Sequence, residues 1–182
     1  MVFNLIYRVF LTLDAVGLVG IIFLAKEGPN AMLCKIFGYS LPDIVWDFVL
    51  LVVYIVVTYG LLWISQYLGT DTIEGGITAI EPANNAFLPS YLGYFFVGLS
   101  IPNCDVFVFV FGILSLFTFV SQTLYFNPLF LLFGYQFYYL STKEATRIFI
   151  ISKRNVKNIE GLSFLDLRRI TDFTFIEVDE HT

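Results

Sequence analysis

VFVFVFGILSLFTFVSQTLYFNPLFLLFGYQFYYLST, residues 106–142, contains no charged side chain. As one helix it would exceed a bilayer's hydrocarbon thickness by about 20 Å. Asn127 and Pro128 lie some twenty residues into it. Proline removes an amide donor and restricts the residue before it, so a helix ends or kinks there. The crossing is therefore read as residues 106–126. Residues 129–142 then continue as an interfacial or protruding segment whose tyrosines suit the headgroup level. A fifth crossing is the alternative.

Outward from this run, the rest of the chain is of the same kind. Hydrophobic residues make up 58% and charged residues 14% of 182, against roughly 45–50% and 25% in soluble domains. A soluble domain of about 150 residues buries only about 70% of its unfolded surface and could not hide so much apolar area. That excludes an ordinary cytosolic enzyme, a basic nucleic-acid-binding domain and a disordered chain. Further charge-free runs occupy residues 48–70 and 82–104. A fourth, residues 2–25, is interrupted by Arg8 and Asp14. It is read as a retained helix rather than a signal peptide, which would want a basic n-region and a small-residue cleavage site. Lys26, Glu27, Gly28 and Pro29 stop it; Pro42 and Asp43 suit the start of a second helix over residues 44–66. Pro89 divides the third run, so that helix either kinks there or begins there and is short. The predicted fold class is an all-α integral membrane protein. It has a four-helix transmembrane domain over residues 1–142 and a small cytosolic α/β tail over residues 143–182.

The tail holds 14 of the 25 charged residues, seven of each sign. Its lysines and arginines follow the last crossing, which places the tail in the cytosol by the positive-inside rule. With four crossings the N-terminus is cytosolic too. Residues 146–152 and 173–178 read as strands, and SFLDLRRI as a short helix with Ser163 as cap. Two strands are marginal alone, so the tail is expected to pack on a subunit, on the 67–85 loop or on another protein.

Asp14 is costly in mid-membrane, about 2.5–3.5 kcal/mol, and marks a functional site or a structural hydrogen bond, with Ser115 or Thr118 as expected donors. Gly112, Ser115, Thr118 and Gln122 form a small, polar stripe, read first as helix packing and second as a pore lining in an oligomer. Cys34 and Cys104 face the same side in this topology; a periplasm would permit a disulfide, and free buried thiols are the alternative. Arg147, Lys153, Arg154, Lys157, Arg168 and Arg169 form a juxtamembrane basic cluster suited to anionic lipid or an acidic partner. The tail's equal count of acids argues against direct nucleic-acid contact. His181 is the one histidine. No catalytic constellation, metal signature or cofactor motif is present, so the protein is not expected to be an enzyme.

The four-run layout, the Asn127–Pro128 break and the segments FGYQFYYL (133–140), RIFIISKRNVKN (147–158) and LRRITDFTFIEV (167–178) resemble the KwaA family. KwaA is the membrane subunit of the two-component Kiwa anti-phage defence system. The resemblance covers the whole chain in layout and is concentrated in residues 127–178. It implies a bacterial inner-membrane homotetramer, sensing infection at the envelope and working with a cytosolic DNA-binding effector, KwaB. No residue role carries over by motif. The expected function is a sensor or scaffold that recruits the effector. A small oligomeric channel or transporter is the alternative, and a membrane-anchored assembly factor the third reading.

Overall fold

The computed structural model describes residues 2–28, 42–74, 76–84, 88–121, 127–143, 146–156 and 162–178. Cys34, Gln122 and Lys157 lie outside the described residues. Helix α1 (Val2–Glu27) ends at Gly28, whose φ of 81° is the left-handed conformation that closes many helices. Helix α2 (Asp43–Ile64) starts after Pro42, whose carbonyl accepts from the Val45 amide. Helix α3 (Leu88–Ser100) carries Pro89 in its first turn. Helix α4 (Cys104–Ser121) is capped by Asn103, whose side-chain oxygen accepts from the Val106 amide at 3.0 Å. Helices α2, α3 and α4 each pack against α1, which is the central helix of the bundle. Val16, Val19, Phe23 and Ile101 form its core, with Phe107 stacked on Phe23.

The expected all-α class with four spanning helices is overturned. The chain carries a six-stranded mixed sheet, and three described helices, not four, are long and apolar enough to cross a membrane: Phe3–Glu27, Asp43–Tyr67 and Cys104–Ser121. With 13 residues, α3 is about 20 Å long, short of the roughly 30 Å required. The chain before it is held elsewhere: the Ala83 amide donates to the Phe137 carbonyl, and the Asn84 side chain accepts from the Phe137 amide.

The strands are β1 (Thr70–Glu74), β2 (Ile77–Pro82), β3 (Gln136–Thr142), β4 (Arg147–Ser152), β5 (Ser163–Arg169) and β6 (Thr174–Glu177). Between β2 and β3 lie α3, α4 and the single turn α5 (Leu129–Leu132). The sheet order is β1-β5-β6-β4-β3-β2, antiparallel throughout except for β4 with β6. β1 and β2 sit on opposite edges, yet only two residues separate Glu74 from Ile77. Three Cα steps reach at most about 11 Å, so the edges are brought together and the sheet curls into a barrel. Taken as one strand bent at Gly76 (φ 73°), β1–β2 is the first of five. Their circular order is first, second, third, fifth, fourth, with third and fifth parallel. That is the Greek-key topology of an OB barrel.

All six strands contribute to the barrel interior: Ile73, Ile80, Leu140, Ile150, Phe164 and Phe175 lie in one cluster. A second cluster joins the barrel's outer face to the bundle. Phe137, Phe149, Ile151 and Ile176 meet Tyr7 and Leu11 of α1, Leu62 of α2 and Phe130 of α5. This explains two misread segments. Residues 136–142 are apolar on both faces because one side fills the barrel and the other docks on the bundle, so no alternation shows. Residues 163–169 form a strand, not the expected helix. Ile73 pairs with Phe164 and Asp71 with Leu167, a β-bulge that turns two residues spaced by three onto the same face. Strands β4 and β6 do match the two strands expected in the tail, but they pair in parallel.

A Cβ at Gly98 would lie 2.9 Å from Ile22 and 3.1 Å from the Val19 carbonyl, whereas one at Gly60 would meet nothing. Gly98→Ala should therefore destabilise the purified protein by about 1–3 kcal/mol, while Gly60→Ala should be neutral or stabilising. Thermal unfolding in detergent checks this; a Gly98→Ala protein as stable as wild type would refute the close α1–α3 approach.

Candidate functional site

Asp14 is half a helix from the start of α1 and only 5% exposed. Its carboxylate is held by two neutral donors. Thr58 Oγ1 of α2 donates to Oδ1 at 2.8 Å, and Asn127 Nδ2 donates to Oδ2 at 2.7 Å. Tyr54, one turn before Thr58, donates its hydroxyl to the Asp14 carbonyl at 2.8 Å and accepts from Asn127 Nδ2 at 2.9 Å. The spacing of four puts Tyr54 and Thr58 on one face of α2. Close approach is allowed by Gly17, where a Cβ would meet the Tyr54 ring at 3.0 Å. Asn127 is completely buried, and its side-chain Oδ1 accepts from the Leu129 amide at 2.9 Å, starting α5.

This places the break in the long apolar run. Arg8 lies over the Phe119 ring at 5.2 Å, so the end of α4 is level with Arg8. Asn127 is level with Asp14, about 9 Å further along α1. The chain therefore turns back into the bundle at Asn127 before it leaves through α5 for β3. One polar junction fastens α1, α2 and the lead-in to the barrel.

Asp14 meets neither expected donor on α4. Helix α4 meets the bundle through Phe107, Val110, Phe111 and Leu114. Gly112 faces open space, and Ser115 Oγ is enclosed without a hydrogen-bond partner among the described residues. Thr118 is partly buried, its carbonyl accepting from Ser121 Oγ at 3.2 Å. Cys104 is free and exposed at the start of α4.

The basic residues do not form one patch. Arg147 pairs with Glu81 at 2.8 Å and covers the Tyr139 ring at 4.1 Å. Arg169 pairs with Asp71 across β5 and β1 through Nε at 2.9 Å. Arg154 pairs with the buried Glu177, covers Phe164 at 4.7 Å and donates to the Ser163 carbonyl at 3.2 Å. Lys153 lies over Tyr135 at 5.1 Å, and Arg168 is half-buried. The three ion pairs stitch the barrel together. Tyr54, Thr58 and Asn127 were not legible as site residues. Their signal was an asparagine before a proline inside an uncharged run, and two polar residues four apart in α2.

The fold and junction define a membrane-type helical bundle bound through buried polar contacts and an apolar seam to a curled, barrel-like β-sheet. The family described as anti-phage protein KwaA matches residues 7–176. The match takes in both bundle and barrel, and the chain belongs to the KwaA family of anti-phage proteins. No curated protein and no solved structure matches it.

Replacing Asn127 with leucine leaves one oxygen of a buried carboxylate unpaired, whereas replacing Asp14 as well removes the need. Asn127→Leu and Asp14→Leu should each destabilise the protein, and the double variant should recover about 1–3 kcal/mol relative to their sum. A double-mutant cycle on unfolding midpoints measures this; strict additivity would deny the Asp14–Asn127 coupling.

Proposed function

We propose that this KwaA-family protein is the inner-membrane sensor and scaffold of its defence system, recruiting a cytosolic effector of the KwaB kind. The observation that supports this reading best is the seam between bundle and barrel. Tyr7, Leu11 and Phe130 share one buried cluster with Phe137, Phe149 and Ile151. A shift in helix packing is therefore a shift in the surface on which the barrel rests. Changes in bilayer thickness or tension act on helix tilt, and Asp14 gives two packings of the bundle different energies through its hydrogen bonds. Among the described residues the barrel is the folded module outside the spanning helices, so effector contact is assigned to it. The basic residues outside its ion pairs support a cytosolic side for the barrel by the positive-inside rule.

A homotetramer is consistent with α4, whose apolar window is only 6% buried within one chain. The exposed face of α4, with Gly112, Phe109 and Leu116, is then the face that meets a second copy.

Affinity capture of the tagged full chain in mild detergent, from cells carrying the whole defence system, tests the reading. The soluble effector should co-purify with wild type. Leu167→Ala, which empties part of the barrel interior and should cost about 2–5 kcal/mol, should lower both effector recovery and phage protection while the chain stays in the membrane fraction. Undiminished recovery with a barrel shown to be unfolded would refute assignment of the effector contact to the barrel.

A further inference from the structure

We infer that the seam between α4 and the barrel holds a discrete site for an anionic phospholipid. A cavity of about 510 Å³ lies there, walled by Val120 of α4 and by Tyr139, Arg147, Phe149, Thr171 and Phe173 of the barrel. One feature locates the site and two more fix the occupant's chemistry. The first is position. In an OB barrel the face of the second and third strands, with the loop between the fourth and fifth, is a binding face, used for oligonucleotides and oligosaccharides. Here those are β3, β4 and the β5–β6 connection, which supply Tyr139, Arg147 with Phe149, and Thr171 with Phe173. The bundle covers the rest of that face through Phe137 and Ile151, and the cavity is what remains open.

The second is continuity with the bilayer. Phe117 and Val120 are 66% and 64% exposed on an apolar helix long enough to span. This surface is continuous with the cavity, which Val120 and Ser121 line at the end of α4. The third is charge. At the barrel end stands Arg147, 59% exposed, over the Tyr139 ring, in a cavity also lined by Thr171. Its partner Glu81 is 65% exposed, and such exposed pairs hold weakly, so a phosphate can compete for the guanidinium with bidentate hydrogen bonds. A single-stranded nucleic acid could also use an arginine beside aromatic rings. It is disfavoured by the apolar, lipid-facing wall.

The inference rests on α4 lying in the bilayer and not on effector recruitment, so its failure leaves that reading standing. Native mass spectrometry of the full chain in mild detergent, with phosphatidylglycerol or phosphatidylcholine added, tests it. Wild type should retain phosphatidylglycerol in preference. Arg147→Gln should weaken that retention about tenfold, the scale of one charge-assisted hydrogen bond. Glu81→Gln, which releases Arg147, should strengthen it, and this arm stands even if the arginine variant folds poorly. Equal retention of the two lipids, no gain from Glu81→Gln, or displacement of bound lipid by a single-stranded oligonucleotide would overturn the site.

Discussion

A carboxylate enclosed by apolar helices must find hydrogen-bond donors inside the bundle, and much of this structure follows from where Asp14 finds them. Without partners a buried charge costs several kcal/mol. Thr58 supplies one donor from α2 and Asn127 the other from the chain that follows α4. Asn127 can reach Asp14 only if the chain re-enters the bundle before Pro128. That requirement fixes the start of α5, and with it the point at which the backbone turns into β3. The barrel is thus positioned by the same contacts that neutralise the cost of Asp14.

The barrel in turn is not an appendage. Its first strand is bent between β1 and β2, and α3 and α4 are inserted between that strand and the next, so the chain builds an edge of the barrel, visits the bundle and returns to complete it. Its outer face is buried against α1, α2 and α5. Bundle and barrel share a seam with a polar pin at one end, so a change in helix packing changes the surface on which the barrel rests. Packed interfaces of this kind switch between discrete arrangements rather than deforming smoothly.

Helix ends were legible in the sequence wherever local chemistry decides them: Gly28 closing α1, and Pro42 and Asp43 opening α2. Strands β4 and β6 were legible from their β-branched and alternating residues. The remainder depends on partners distant in the chain. β3 looked like membrane because both of its faces are buried. β5 looked helical because a bulge gives Phe164 and Leu167 a spacing of three. β1 and β2 lie in what reads as the 67–85 loop, where Asp71 and Glu81 are counter-charges for Arg169 and Arg147. Asp14 stood out by its cost in an apolar helix. Its partners did not, because an asparagine before a proline reads first as a break.

The most direct test of coupling between the junction and the barrel is hydrogen–deuterium exchange of the full chain in nanodiscs, comparing wild type with Asn127→Leu. Loss of the Asp14 contact should speed exchange not only around residues 127–132 but across β3 and β4, at residues 137–140 and 148–151. Faster exchange confined to residues 127–132, with the strands as protected as in wild type, would contradict the coupling.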